Sequence, residues 1–266
     1  MPPNPTTGPP SAVLLRLAAR LEREGKRLEA AAIRAVVAQY RTLSLADLVA
    51  LINAVSSGET SAARVAGLDL LMSAFRQAVS DLSTAPAALQ TLLTTAVQTG
   101  SSTGAAMLAA AASNPELIDA FRVRPDREIE LAQHAAKRLE TYWGRENRRL
   151  ADEVQSALLE GLERGQSPAQ MAARLRERVS VSRSRAMLIA TNEISTAMAS
   201  GAQATQLDAG VTEYIWFTAG DERVRPEHRA RNGKKFRWDS PPSDGHAGFP
   251  IRCRCVALAV IPEGFR

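Results

Sequence analysis

Between Pro125 and Gly165 the apolar side chains Ile129, Ala132, Ala136, Leu139, Trp143, Leu150, Val154, Leu158 and Leu162 recur at helical spacing for about forty residues. A helix of that length spans about 60 Å at 1.5 Å per residue. So long an element bridges parts of an assembly or bends, and Gly144 is the expected bend. Pro125 suits its first position, and Asp126 and Glu128 place negative charge where the exposed amides of a helix start favour it.

The segments on either side repeat this helical grammar. Leu14, Leu17, Leu21 and Leu28 share one face of a first helix ending near Tyr40, and Ser44 with Asp47 resembles a capping box opening a second. Leu68, Leu71, Phe75, Val79 and Leu82 form the stripe of a third. Further helices are expected at 86–99 and 103–112, after which Asn114-Pro115 marks a turn. Ser167, Pro168 and Gln170 stand in the order of a capping serine, a first-position proline and a capping-box glutamine. Another helix is expected from about Ser182 to Ala209, stopped by Gly210. Beyond it, Val211–Phe217, Phe236–Trp238 and Ile251–Ile261 read as short strands, with a brief helix near 226–230. The fold class is therefore mainly α, with a helical N-terminal body, a long central helix and a small C-terminal α+β unit of short antiparallel strands. The expected divisions are a disordered tail at 1–10, a helical domain at 11–122, the connecting helix at 123–165 and an α+β domain at 166–266.

Aromatic residues are only 5% of the chain and alanine is abundant, so helices should pack closely through small side chains. The net charge of +5 is uneven: zero over 1–121, +1 over 122–220 and +4 over 221–266. A phosphate-bearing partner or a solvated basic face both account for that excess. No stretch approaches about 18 uninterrupted apolar residues, so no membrane partner is expected, and the N-terminus lacks the pattern of a signal peptide.

Both cysteines and two of the three histidines fall within residues 228–255. Cys253 and Cys255 are too close for an unstrained disulfide. In a strand their thiols would share one face, with Arg252 and Arg254 on the other. Two readings remain. His228, His246, Cys253 and Cys255 can complete a structural zinc site, or the cysteines are small buried hydrophobes and the histidines make loop hydrogen bonds. His228 is the better ligand candidate of the two, because His246 lies in a loop rich in serine, proline and glycine. No catalytic residue and no other cofactor is expected. Asp221 reads as a structural corner that holds an arginine, Trp216 as core, and Glu193 as part of a polar helix face. Arg223, Arg225, Arg229, Arg231, Lys234, Lys235, Arg252 and Arg254 are the candidate contacts to nucleic acid or a protein partner. A glycine-rich phosphate loop, a Gly-x-Ser-x-Gly elbow and a His-Glu-x-x-His motif are all missing from the sequence.

The ordered set Arg185, Ile189-Ala190-Thr191-Asn192-Glu193, Gly210, Trp216, Asp221-Glu222-Arg223-Val224-Arg225-Pro226-Glu227-His228, Gly233, Phe236 and Cys253-Arg254-Cys255 resembles the phage head morphogenesis family, the Mu F-like minor head proteins. It covers about residues 150–260. The chain departs from the family pattern in having Pro250-Ile251-Arg252 where many relatives have a histidine or asparagine before the triplet. It also has Arg225 and His228 where some relatives carry a cysteine pair. The resemblance implies a structural virion protein made in the host cytoplasm and present in several copies in the head interior or at the portal vertex. Its implied partners are the portal protein, major capsid or scaffold proteins, and phage DNA. The competing class is a metal-dependent nuclease or toxin-like domain on a helical stalk, using His228, His246 and Asn232.

Overall fold

The computed structural model describes residues 10–43, 45–56, 61–80 and 82–261. Most of the expected tail, Ser44 of the expected capping box and the Leu68 side chain lie outside the described residues. Helices α1 (Ala12–Tyr40), α2 (Leu45–Ser56), α3 (Ser61–Ser80) and α4 (Ala87–Ala111) precede a 3-10 turn at Pro115–Ile118. Then follow α5 (Pro125–Glu163), α6 (Pro168–Asp208), β1 (Glu213–Phe217), α7 (Pro226–Arg231), β2 (Lys235–Arg237) and β3 (Val256–Ala259). The chain is mainly helical, with a small antiparallel sheet near its C-terminus.

Several boundaries differ from the sequence reading. The segments expected at 86–99 and 103–112 are one helix, α4, and the helix expected to begin at Ser182 is the continuation of α6. Glycines and serines in these runs look like breaks when only propensity is counted, but tertiary packing holds them helical. The α5 helix also continues through Gly144. The start of α6 is as expected: the Gln170 amide donates to Ser167 Oγ at 3.3 Å, and the Ser167 amide donates to Gln170 Oε1 at 2.8 Å. Asn114 caps the 3-10 turn through its side-chain oxygen.

The described residues divide into two compact units. One comprises Ala32–Leu89 and Lys137–Ala190. Its core holds the expected stripes Leu71, Phe75, Val79, Leu82 and Leu139, Trp143, Leu150, Val154, Leu158. Trp143 Nε1 donates to the Leu82 carbonyl at 2.7 Å, and the Tyr40 hydroxyl pairs with Ser182 Oγ at 2.8 Å. These bonds let two polar aromatic tips enter an otherwise apolar interior. Arg185 places Nε 2.8 Å from both oxygens of Glu146 and Nη2 2.9 Å from Glu153 Oε2. Burial alone would raise the Glu153 carboxyl, but hydrogen bonds from Arg185 and Arg149 outweigh it and hold the group below its ordinary value. An 18-residue window within Ala12–Ala54 reaches a mean hydropathy of 1.4, enough by length and composition to cross a membrane. Of that window 29% is buried, and Leu48 and Ile52 of this unit lie in the core.

The other unit is drawn from Met1–Ala31, Gln90–Ala136 and Thr191–Arg266. Its helices approach at Gly100 and Gly201, where the α4 and α6 backbones leave no room for a Cβ, and at Gly104, where a Cβ would lie 3.1 Å from Thr205 Oγ1. Thr205 Oγ1 donates to the Ser101 carbonyl across this contact at 3.1 Å. Ile129, expected on the buried stripe of α5, is 55% exposed in this unit.

The sheet has the order β2-β1-β3, with both pairings antiparallel. Alternation along the central strand separates two cores. Tyr214 and Trp216 face Trp238, Ala247, Cys253 and Cys255, while Ile215 and Phe217 pack on the cluster of Ala18, Met107 and Leu258.

Candidate functional site

The site grows from the face of β1 that carries Tyr214 and Trp216. After β1 the chain turns, enters α7 at Pro226 and buries His228 to 2% exposure with its ring 5.0 Å from that of Trp216. Asn232 closes this excursion, its Oδ1 accepting from the Thr218 amide at 2.9 Å and the Thr218 hydroxyl at 3.1 Å. Gln206 of α6 ties the sheet in place: its Nε2 donates to the Ala257 carbonyl at 2.8 Å, and its Oε1 accepts from Trp238 Nε1 at 3.1 Å.

His228 is the hub. Its Nδ1 lies 3.5 Å from Cys253 Sγ and 3.5 Å from Cys255 Sγ, and its Nε2 lies 2.9 Å from Asp244 Oδ2. Arg231, stacked over the Trp216 ring at 5.0 Å, donates to the other Asp244 oxygen at 2.6 Å. Burial would raise the Asp244 carboxyl, yet its bonds to His228 and Arg231 prevail and hold it low. An ionised carboxylate only accepts, so Nε2–H donates to Asp244 and Nδ1 is the ring atom that faces the two thiols. The two thiols interact strongly. The hydrogen bond from Cys255 lowers the Cys253 thiol to about 6 against the effect of burial, and the same bond with burial raises that of Cys255.

Cys253-Arg254-Cys255 precedes β3 and is not part of it, and Arg252 takes a positive φ of 56°. The expected strand from Ile251 is therefore shortened to four residues. The thiols converge on one side because the triplet is extended between that turn and the sheet. His246 does not join them. Its Nδ1 pairs with the Tyr214 hydroxyl at 3.0 Å, its ring packs 4.8 Å from Trp238, and burial lowers its pKa. Asp244, two residues earlier, meets His228 instead, a role that its place in a loop rich in glycine and proline gives no sign of.

Asp221 grips Arg254 through two bonds of 2.6 and 2.5 Å, and its Oδ1 also accepts from the Arg223 amide at 3.2 Å. The Arg254 bonds are the main reason its carboxyl sits below the ordinary range. Arg254 further reaches Glu22 of α1 at 3.4 Å. Of the other basic candidates, Arg225 donates to the Ile251 carbonyl and Arg229 to the Asp221 and Val224 carbonyls, which leaves their charges without a carboxylate partner in these bonds. Arg223, Lys234, Lys235 and Arg252 are exposed. Trp216 is fully buried, and Glu193 is 3% exposed on α6.

A Haemophilus influenzae protein described as "Uncharacterized protein" is 34% identical over 111 residues, which is 41% of this chain and 25% of that protein. The chain thus spans about a quarter of the length of that relative. No solved structure matches. Residues 152–258 match the family described as Phage Mu protein F like protein, so this part of the chain is Mu F-like, as its ordered motif indicates.

Proposed function

We propose that the protein is a non-enzymatic structural component of a phage head, acting at or near the portal in procapsid assembly and in the handling of packaged DNA. The Mu F-like match over 152–258 implies a phage head morphogenesis protein and is the observation that carries this reading. The finer assignment rests on the basic residues around α7 and the turn before Cys253. There the charges of Arg223, Lys234, Lys235 and Arg252 stand in solvent, while Arg231 and Arg254 hold the fold together. In this reading the exposed charges meet DNA phosphates, the helical segments dock on portal, capsid or scaffold subunits, and several copies serve each virion. A nuclease using His228, His246 and Asn232 is not favoured, because His246 is engaged by Tyr214 and Asn232 by Thr218.

The test is duplex-DNA binding by the full chain as a function of salt. Replacing Lys234, Lys235 and Arg252 with glutamine should flatten the slope of log K against log salt by about 0.9 for each phosphate that is no longer neutralised. The matched variant R16Q/R20Q/R76Q, at exposed helical positions, should leave the slope unchanged. Equal effects of the two triple variants would overturn the assignment of DNA binding to this surface.

A further inference from the structure

We propose that His228 Nδ1, Cys253 Sγ and Cys255 Sγ form a binding site for one divalent cation of the zinc class, with Asp244 positioning His228. The three donor atoms lie within 4.8 Å of one another and all three residues are buried. Zinc bonds of about 2.0–2.1 Å to imidazole nitrogen and 2.3 Å to sulfur, set at a tetrahedral angle, separate nitrogen from sulfur by about 3.6 Å. The two observed separations are 3.5 Å each.

Hydrogen bonding alone does not account for this arrangement. Each thiol has one S–H: Cys255 directs its own to Cys253, which leaves that of Cys253 for Nδ1, yet Cys255 Sγ stands at the same 3.5 Å from Nδ1 as Cys253 Sγ does. A shared cation satisfies all three donors at once. The surroundings match what a metal-bound histidine needs: its second nitrogen is held by Asp244 at 2.9 Å, and Asp244 is held by Arg231 at 2.6 Å. Such carboxylate partners orient the ring and raise its basicity as a ligand. Two thiolates and an imidazole favour zinc over the hard cations magnesium and calcium.

The protein supplies three ligands, and His246 is not among them. Both cysteines border a cavity of about 240 Å³ that also meets α1 and α6, and water is the proposed fourth ligand. The ion would join α7 to the segment before β3, two pieces of a unit whose sheet has strands of only five, three and four residues. The role is structural, and it stands whether or not the protein binds DNA.

The experiment uses the full chain with thiols reduced. Zinc is measured on protein purified without chelator, and the stripped protein is then titrated with cobalt(II). The expected result is one cobalt per chain, with the visible absorption of tetrahedral thiolate coordination and displacement by zinc. Cys253→Ser and Cys255→Ser should each remove the thiolate charge-transfer band or shift it, and His246→Gln should titrate as the wild type does. Asp244→Asn should bind about 10–100-fold more weakly. Circular dichroism follows the fold of each variant. Metal protection of both thiols from a disulfide reagent provides a readout on the wild type that needs no variant. Natively folded wild type that takes up no cobalt, cobalt binding unaffected by either cysteine change, or loss of binding in His246→Gln with the fold intact would each overturn the proposal.

Discussion

Replacing Gly201 with alanine would set a methyl carbon 2.3 Å from the Val97 carbonyl oxygen and 2.9 Å from the Ser101 amide nitrogen. Ordinary carbon–oxygen contacts begin near 3.3 Å, so the overlap is about 1 Å. Both atoms it meets are helix backbone, and neither can rotate away. The α4 and α6 helices must therefore part locally, and a gap of up to 1 Å forfeits a quarter to a half of each dispersion contact along the crossing. Overpacking of this kind costs about 1–3 kcal/mol. Stretching the 3.1 Å bond from Thr205 to the Ser101 carbonyl adds about 1 kcal/mol. Alanine returns about 1 kcal/mol through its higher helix propensity. The net expectation is destabilisation of about 1–3 kcal/mol, or a fall in melting temperature of roughly 2–12 °C at about 2–4 °C per kcal/mol. Gly144→Ala is the control, because its new carbon would come no closer than 3.7 Å to the Arg148 side chain. It should raise stability by up to about 1 kcal/mol. The assay is thermal and urea unfolding followed by far-ultraviolet circular dichroism. A Gly201→Ala protein as stable as the wild type, beside a Gly144→Ala protein that behaves as expected, would refute the close-crossing argument.

Arg185→Ala should destabilise by about 2–4 kcal/mol in urea unfolding, because Glu146, 7% exposed, is left buried without its main partner. Adding Glu146→Gln should recover part of the loss, and a loss confined to a few tenths of a kcal/mol would refute the reading. Trp143→Phe keeps most of the packing but leaves the buried Leu82 carbonyl unpaired, an expected cost of about 1–3 kcal/mol in the same assay. Acid should weaken the fold in a defined window. The carboxyls of Glu22, Glu153 and Asp221 are all lowered in the folded state, so the stability they confer is complete above their ordinary values, near pH 4, and is lost as pH falls through the lowered folded values. Burial lowers His246 too, so some stability is already lost as pH falls below its ordinary value near 6.5; a further drop in urea midpoint should appear below about pH 4, and a midpoint no lower near pH 3 than at pH 5 would contradict the assigned ion pairs.

Where the chemistry is local, the sequence is informative. The capping box at Ser167 and Gln170, the start of α5 at Pro125 and the stripe of Phe75, Val79 and Leu82 each depend on residues within two turns of one another, and each is found in the structure. The run Gly100-Ser101-Ser102-Thr103-Gly104 misleads for the same reason. By propensity residues 100–102 break the helix, but the small residues of the run permit a close helix crossing that no local count reveals. Ser182 reads as the start of a helix, yet it lies within α6 and bonds to Tyr40, 142 residues away.

By itself the sequence determined that the chain is mainly helical, that its distinctive side chains gather near the C-terminus, and that their order is Mu F-like. Periodicity and spacing are properties of consecutive residues, and they can be read without a fold. Tertiary structure decided which of those side chains meet. His228 faces both thiols while His246 turns to Tyr214, Asp244 enters beside His228, and Arg254 closes on Asp221. These pairings depend on where the loop of residues 238–255 returns against β1. That path is set by burying Tyr214, Trp216 and Trp238 together, and nothing in the loop's own composition specifies it.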